Sequence, residues 1–125
     1  MIGSVRTMFG GSPDPGPLAV DEALYIVRND RRRWAVDVVR GARSPVHLNE
    51  IIDEIVALED ADGDRKTVEN RVYVSLVQSH IPLLLENGVL EKVDEREYQP
   101  GPAFDQIRTI VDRARNVSNG GGRVA

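Results

Sequence analysis

Apolar and polar positions follow one another along this chain mostly at helical spacing. Between Pro17 and Asn29, the residues Ala23, Leu24, Ile26 and Val27 mark a first helix, with Asp21 and Glu22 in its opening turn, where the helix dipole favours acids. Asp30 is the expected N-cap of a second helix, RRRWAVDVVRGA, with Trp34, Val38 and Val39 near one face and Ala35 and Ala42 beside them. Gly41 and Ser44-Pro45 stop it, and Val46-His47-Leu48 reads as a short strand. Asn49 is the expected cap of a third helix, in which Ile51, Ile52, Ile55, Val56 and Leu58 form the apolar stripe and Glu50, Asp53 and Glu54 face water.

A fourth helix is expected over 67–87, capped by Thr67 and stopped by Asn87-Gly88. Wheeled at about 100° per residue, it gathers Val68, Val72, Leu76 and Leu83, with Tyr73, Val77, Ile81 and Leu84 alongside. Arg71, Ser75, Gln78, Ser79 and Pro82 occupy the opposite sector, and Pro82 is expected to kink the helix or limit its last turns. Val89 to Val93 and Glu97 to Gln99 then pair across an Asp94-Glu95-Arg96 turn. After Pro100-Gly101-Pro102, a last helix places Phe104, Ile107, Ile110, Val111 and Ala114 on one face. The expected fold is mainly α with a small β-hairpin, a winged helix-turn-helix with an extra C-terminal helix. It divides into a disordered arm over 1–17, the winged domain over 18–99, the C-terminal helix over 102–116 and a flexible tail over 117–125.

Composition narrows the chemistry. The 125 residues suit one domain that buries a core without staples, and with no cysteine there is no disulfide framework, zinc-finger site or thiol nucleophile. Leu83-Leu84-Leu85, the densest apolar patch, stops at Glu86, so no membrane span is expected; the N-terminus lacks the apolar stretch of a signal peptide, and the expected setting is cytoplasmic. The net charge is −4, whereas small DNA-binding domains are normally basic. Lys66 and Lys92 are the only lysines among 16 basic residues, and acid excess with few lysines suits a high-salt cytoplasm.

At SHIPLLLENGVLEKV the sequence resembles the end of an ArsR-type winged helix, where the recognition helix closes on a leucine-rich turn, a glycine and then the wing. LYIVRNDRRRWAVDVVRG, the short strand before NEIIDEIVALE, and RVYVSLVQSHIPLLLENGVLE together resemble a family of haloarchaeal winged-helix domains of unknown specific function, over about residues 20–98. The resemblance implies a haloarchaeal or haloarchaeal-virus source and a DNA-binding fold, with no ligand attached. By position it implies that Ser75, Gln78, Ser79 and His80 face DNA; the wheel instead puts His80 near the buried edge.

The leading expectation is a DNA-binding transcription regulator, a homodimer on double-stranded DNA, reading the major groove with helix 67–87. Arg71, Ser75, Gln78 and Ser79 are the expected groove readers, and Arg65 and Lys66 the phosphate anchors. Phe104, Ile107, Ile110, Val111 and Ala114 either fold back on their own domain or, the favoured expectation, pair with a twin. Arg31, Arg32 and Arg33 oppose the dipole of the helix they begin, and either clamp phosphate or, slightly favoured, pair within the fold. Asp94, Glu95 and Glu97 around Arg96 make an acidic wing tip that phosphates would repel, so either Lys92 and Arg96 alone touch the DNA backbone or the wing faces a protein partner. The rival function is therefore a winged-helix protein-interaction module without DNA binding. Asp60, Asp62 and Asp64 begin like a calcium loop, but Arg65 and Arg71 stand where its glycine and glutamate belong. No metal, cofactor or enzyme chemistry is expected from His47, His80 or any carboxylate pair.

Overall fold

The structure is a computed structural model that describes residues 17–59 and 63–124, and for 118–124 the backbone alone. The expected arm, apart from Pro17, therefore lies outside the described residues, as do Asp60 and Asp62. The elements are α1 (Val20–Val27), α2 (Asp30–Gly41), β1 (Val46–His47), α3 (Leu48–Leu58), α4 (Arg65–Ser75), a π-helical turn (Leu76–His80), α5 (Ile81–Glu86), β2 (Leu90–Asp94), β3 (Glu97–Pro100) and α6 (Phe104–Val124). From α2 to β3 the order is that of a winged helix, with α3 and α4 as the helix-turn-helix and β2–β3 as the wing.

The sheet order is β1-β3-β2, antiparallel throughout, with Val46 opposite Tyr98 and Lys92 opposite Tyr98 on the other side. The short strand thus joins the wing as a third strand. Its pairing is extended by Leu48 N–H, which donates to the Arg96 carbonyl at 2.8 Å. Ile26, Ile51, Ile55, Leu76, Leu84, Leu90 and Ile107 are fully buried and join helices and sheet into one core.

Three helix starts lie earlier than the sequence predicts. Asn29, not Asp30, caps α2, its side chain accepting from Arg32 N–H. His47 caps α3 through Nδ1, which accepts from Asn49 N–H at 3.0 Å, so Asn49 lies inside the helix. Asp64 caps α4 and its carboxylate takes both the N–H and the hydroxyl of Thr67. Each offers a side-chain acceptor in reach of the free N–H groups, and a pair of acceptors such as Asn29-Asp30 looks the same in sequence whichever member caps.

The fourth helix is not one α-helix. Ile81 N–H donates five residues back to the Leu76 carbonyl, and Pro82, which has no N–H, sits in the first turn of α5. A proline ring inside an α-helix collides with the carbonyl four residues earlier; the wider π turn accommodates it. The turn also breaks the wheel, so Val77, expected beside the buried face, is 39% exposed, and His80 is buried, as the wheel predicts. Leu24 and Leu58 are likewise exposed rather than core, and the buried face of α2 is Arg32, Ala35, Val36 and Val39, with Trp34 and Val38 at its edge.

α6 folds back on the chain's own body. Phe104, Ile107 and Val111 are buried against the core, and α6 packs on α1 and α2. Gln106 grips the backbone of Leu18 from both sides, at 2.7 and 3.1 Å. Arg40–Asp112 and Arg115–Asp37 pairs bridge α2 and α6. The expectation of a dimer face on this stripe is corrected to that extent: its three strongest apolar members are used within one chain, and only half-buried Ile110 and exposed Ala114 remain. The helix also continues to Val124, past the point where the glycine-rich tail is predicted to begin, and nothing in the described packing explains the extension.

Candidate nucleic-acid interface

α4 and the π turn expose one face. Thr67, Asn70, Arg71, Val74 and Gln78 recur at three- and four-residue steps and are all exposed, so they line up along the helix. Thr67, Asn70, Arg71, Val74 and Ser75 border a shallow groove of about 460 Å³. The opposite face, Val68, Val72 and Leu76, is buried, which fixes the rotation of the helix. Of the expected groove readers, Arg71 and Ser75 meet at this groove, and Gln78 and Ser79 lie one turn on, exposed on the π turn. Thr67, Asn70 and Val74 are additions that sequence reasoning missed. The signal was there: Thr67 and Val74 sit at offsets of −4 and +3 from Arg71, on its own stripe, and Asn70 lies one turn before Val74 at offset −4.

Ser75 is already engaged. Its hydroxyl donates to the Val72 carbonyl at 3.2 Å and accepts from Arg31 Nη1 at 2.8 Å. Arg31 in turn forks onto Glu59 at the end of α3, Nε at 2.6 Å and Nη2 at 3.1 Å. The hydrogen bond from Arg31 holds the Glu59 carboxyl below its ordinary range, against the opposing effect of burial, and the charges of Arg31 and Arg71 add to it. One guanidinium therefore ties the start of α2 and the end of α3 to the middle of the exposed helix.

The two expected phosphate anchors, Arg65 and Lys66, are both exposed and both lie beside Glu69. Arg65 pairs with Glu69 one turn on, at 3.3 Å. Lys66 borders another groove between α3 and α4, with Asp53, Glu69 and Tyr73. An exposed pair such as Arg65–Glu69 is worth only about 0.3–0.5 kcal/mol and yields readily to a phosphate.

The arginine triplet resolves in favour of structure. Arg32 is 7% exposed; its Nε donates to the Ile26 carbonyl at 2.8 Å, its Nη2 to the Tyr25 carbonyl at 2.7 Å, and its Nη1 lies 3.3 Å from His80 Nδ1. Arg33 donates to the Val27 carbonyl and pairs with Asp30. Arg32 and Arg33 thus oppose the dipole of α2 because they serve the other end of α1, whose last carbonyls lack helical partners.

His80 is pushed below its ordinary 6.5, chiefly by burial and then by the charges of Arg32 and Arg31. The fold holds it neutral, so the unfolded chain binds a proton that the folded chain resists. This stabilisation is complete above 6.5 and falls away as the pH drops below it. Melting temperature is expected to decline as the pH falls below 6.5 in the wild type, and this part of the decline to vanish in His80→Gln, whose amide oxygen still accepts from Arg32. Parallel pH profiles for the two proteins would exclude His80 as the cause.

The wing carries Glu91, Lys92, Val93, Asp94, Glu95 and Arg96 as an exposed edge, with a bulge between Lys92 and Asp94. Among the described residues no group of three or more histidines or carboxylates is gathered as a metal ion needs, and no helix is long and apolar enough to cross a membrane.

Comparison with known proteins places this geometry in a family whose function is open. No curated protein and no solved structure matches the chain. Residues 24–99, the span from α1 through most of β3, match a domain of unknown function, DUF7344, and the chain belongs to that family.

Proposed function

We propose that this chain is a DNA-binding transcription regulator that lays α4 and the π turn in the major groove. The observation that carries it is the exposed stripe Thr67, Asn70, Arg71, Val74 and Gln78, which contains no carboxylate. Asn and Gln pair with adenine edges, Arg with guanine, and the methyl groups of Thr and Val with thymine. Arg65 and Lys66, at the start of α4, serve as phosphate anchors. The action is occupancy of a promoter rather than chemistry. Two half-sites on an operator require a two-fold pair, and such a pair uses surface outside the Phe104–Ile107–Val111 core. The acidic, lysine-poor composition favours a salt-rich cell as the setting, as the haloarchaeal resemblance implies.

The acidic wing favours a second reading. Asp94 and Glu95 at its turn are exposed, as are Glu50, Asp53 and Glu54 on α3, and Asp53 shares a groove with Asn70 of the stripe. A winged-helix module that meets a basic protein partner through the wing fits that charge.

Selection of the full chain against a random duplex library, at low and at molar salt, separates the two. An enriched sequence is expected, and the Arg71→Ala, Gln78→Ala double variant is expected to lose at least about 30-fold in affinity for it, since each good base contact is worth about 1–3 kcal/mol. Both side chains are exposed, so the melting temperature should stay within about 2 °C of wild type. No enriched sequence at either salt would overturn the DNA reading.

A further inference from the structure

A second groove, of about 450 Å³, lies where the α1–α2 junction, the end of α3 and the π turn converge. Arg28, Asn29, Asp30, Arg31, Trp34, Glu59 and His80 line it. Its size is within the range of small-ligand sites. We propose that it is a binding site for a small anion, which places a carboxylate or phosphate group against Arg28 and Arg31 and reports its presence to the exposed helix.

Charge is the first argument. The chain as a whole carries −4, yet two arginines, Arg28 and Arg31, line this groove beside two carboxylates, Asp30 and Glu59. Those two carboxylates are committed, Asp30 to Arg33 and Glu59 to Arg31. Arg28 has no ion pair among the described residues; its guanidinium lies over the Tyr25 ring, 4.8 Å from the centroid. An excess cation in an acidic protein is an anion site when donors converge on it.

Donors do converge. Arg31 uses three of its N–H groups, two on Glu59 and one on Ser75, which leaves two of a guanidinium's five. His80 is 8% exposed and still lines the groove; with Nδ1 turned to Arg32, its proton sits on Nε2 as a further donor. Trp34 supplies an aromatic wall. The link to the exposed helix is the same Arg31: an anion that draws its guanidinium changes the hydrogen bond to Ser75, the last residue of α4, which borders the groove beside the stripe. The site stands whether or not that stripe meets DNA.

Trp34 is the only tryptophan in the chain, so its fluorescence reads this groove alone. Inorganic phosphate and benzoate are titrated separately into the full chain, with ionic strength held constant by chloride. A saturable change in Trp34 emission is expected with at least one of them, and the stronger of the two identifies phosphate or carboxylate as the group recognised. The amide resonances of Ser75 and Leu76 are expected to move with the same midpoint. Arg28→Ala, an exposed substitution that leaves the melting temperature unchanged, is expected to weaken that midpoint about ten-fold or more, as loss of one charge-assisted contact does. A linear, non-saturating response to both probes, or the same midpoint in Arg28→Ala, overturns the site. Saturation at Trp34 with unmoved Ser75 and Leu76 amides overturns its connection to the helix.

Discussion

Arg32→Ala is expected to cost about 3 kcal/mol of stability and to lower the melting temperature by roughly 10–20 °C, measured by circular dichroism. The side chain is nearly fully buried and closes three hydrogen bonds, to the carbonyls of Tyr25 and Ile26 and to the ring of His80. Alanine leaves those acceptors without partners and opens the space under the α1–α2 junction. Each buried acceptor left bare costs about 1–3 kcal/mol, and a hydrogen bond from a charged donor is stronger than a neutral one. Arg32→Lys should restore only part of the loss, because an ammonium cannot fork across two carbonyls and an imidazole at once. The neighbouring Arg33, partly exposed, should cost far less when truncated. If Arg32→Ala melted within about 2 °C of wild type, the guanidinium would not be what holds α1 to α2.

The second large effect lies at the far end of the domain. A Cβ built on Gly101 would sit 2.4 Å from the Gly88 carbonyl oxygen and 3.0 Å from its carbon. Both atoms are backbone, so neither can swing aside. Gly88 is held in turn: its carbonyl accepts from Ala103 N–H at 2.8 Å, while Gly101 N–H donates to the Val89 carbonyl at 2.9 Å. The crossing of these two strands of chain joins the helix stop, the wing and the start of α6. Gly101→Ala must push them apart, and a loss of about 2–4 kcal/mol in urea denaturation is expected. Gly88→Ala is a different case. Its Cβ would meet only ordinary contacts, the nearest at 3.6 Å, but its φ of +74° is strained for alanine, and about 1–2 kcal/mol is expected. A Gly101→Ala protein within about 0.5 kcal/mol of wild type would mean that the close approach is absent.

Much of the fold is legible in the chain because its signals are local. Val68, Val72 and Leu76 set the buried face of α4 by spacing alone, and Gly88 marks the helix stop because few other residues adopt a positive φ. The acidic hairpin reads as a wing through its β-prone residues and its turn. What is not legible depends on acceptors far along the chain or on main-chain groups that carry no letter. Arg31 finds Glu59 and Ser75 across 28 and 44 residues, and Arg32 finds two carbonyls of a helix that has already ended. The apolar stripe of α6 has the right spacing for a partner helix, whether its own or a twin's, and periodicity does not distinguish them. Of the candidate interface, Arg71, Gln78 and Ser79 are found exposed, Ser75 is bound to Arg31, and Thr67, Asn70 and Val74 complete the stripe.

The turn at Leu76–His80 has a consequence for how this helix can vary. A π turn amounts to one residue inserted into an α-helix, and an insertion sets the angular phase of everything after it. Residues 67–75 are phased by Val68 and Val72, whereas Ile81 and Leu84 are phased by the far side of the insertion. The two buried faces of the helix are thereby offset by the inserted residue, and each meets the core. Deleting one residue from the turn would carry Ile81 and Leu84 about 100° off the core, so the turn sets the register between the outer stripe and the segment that leads into the wing.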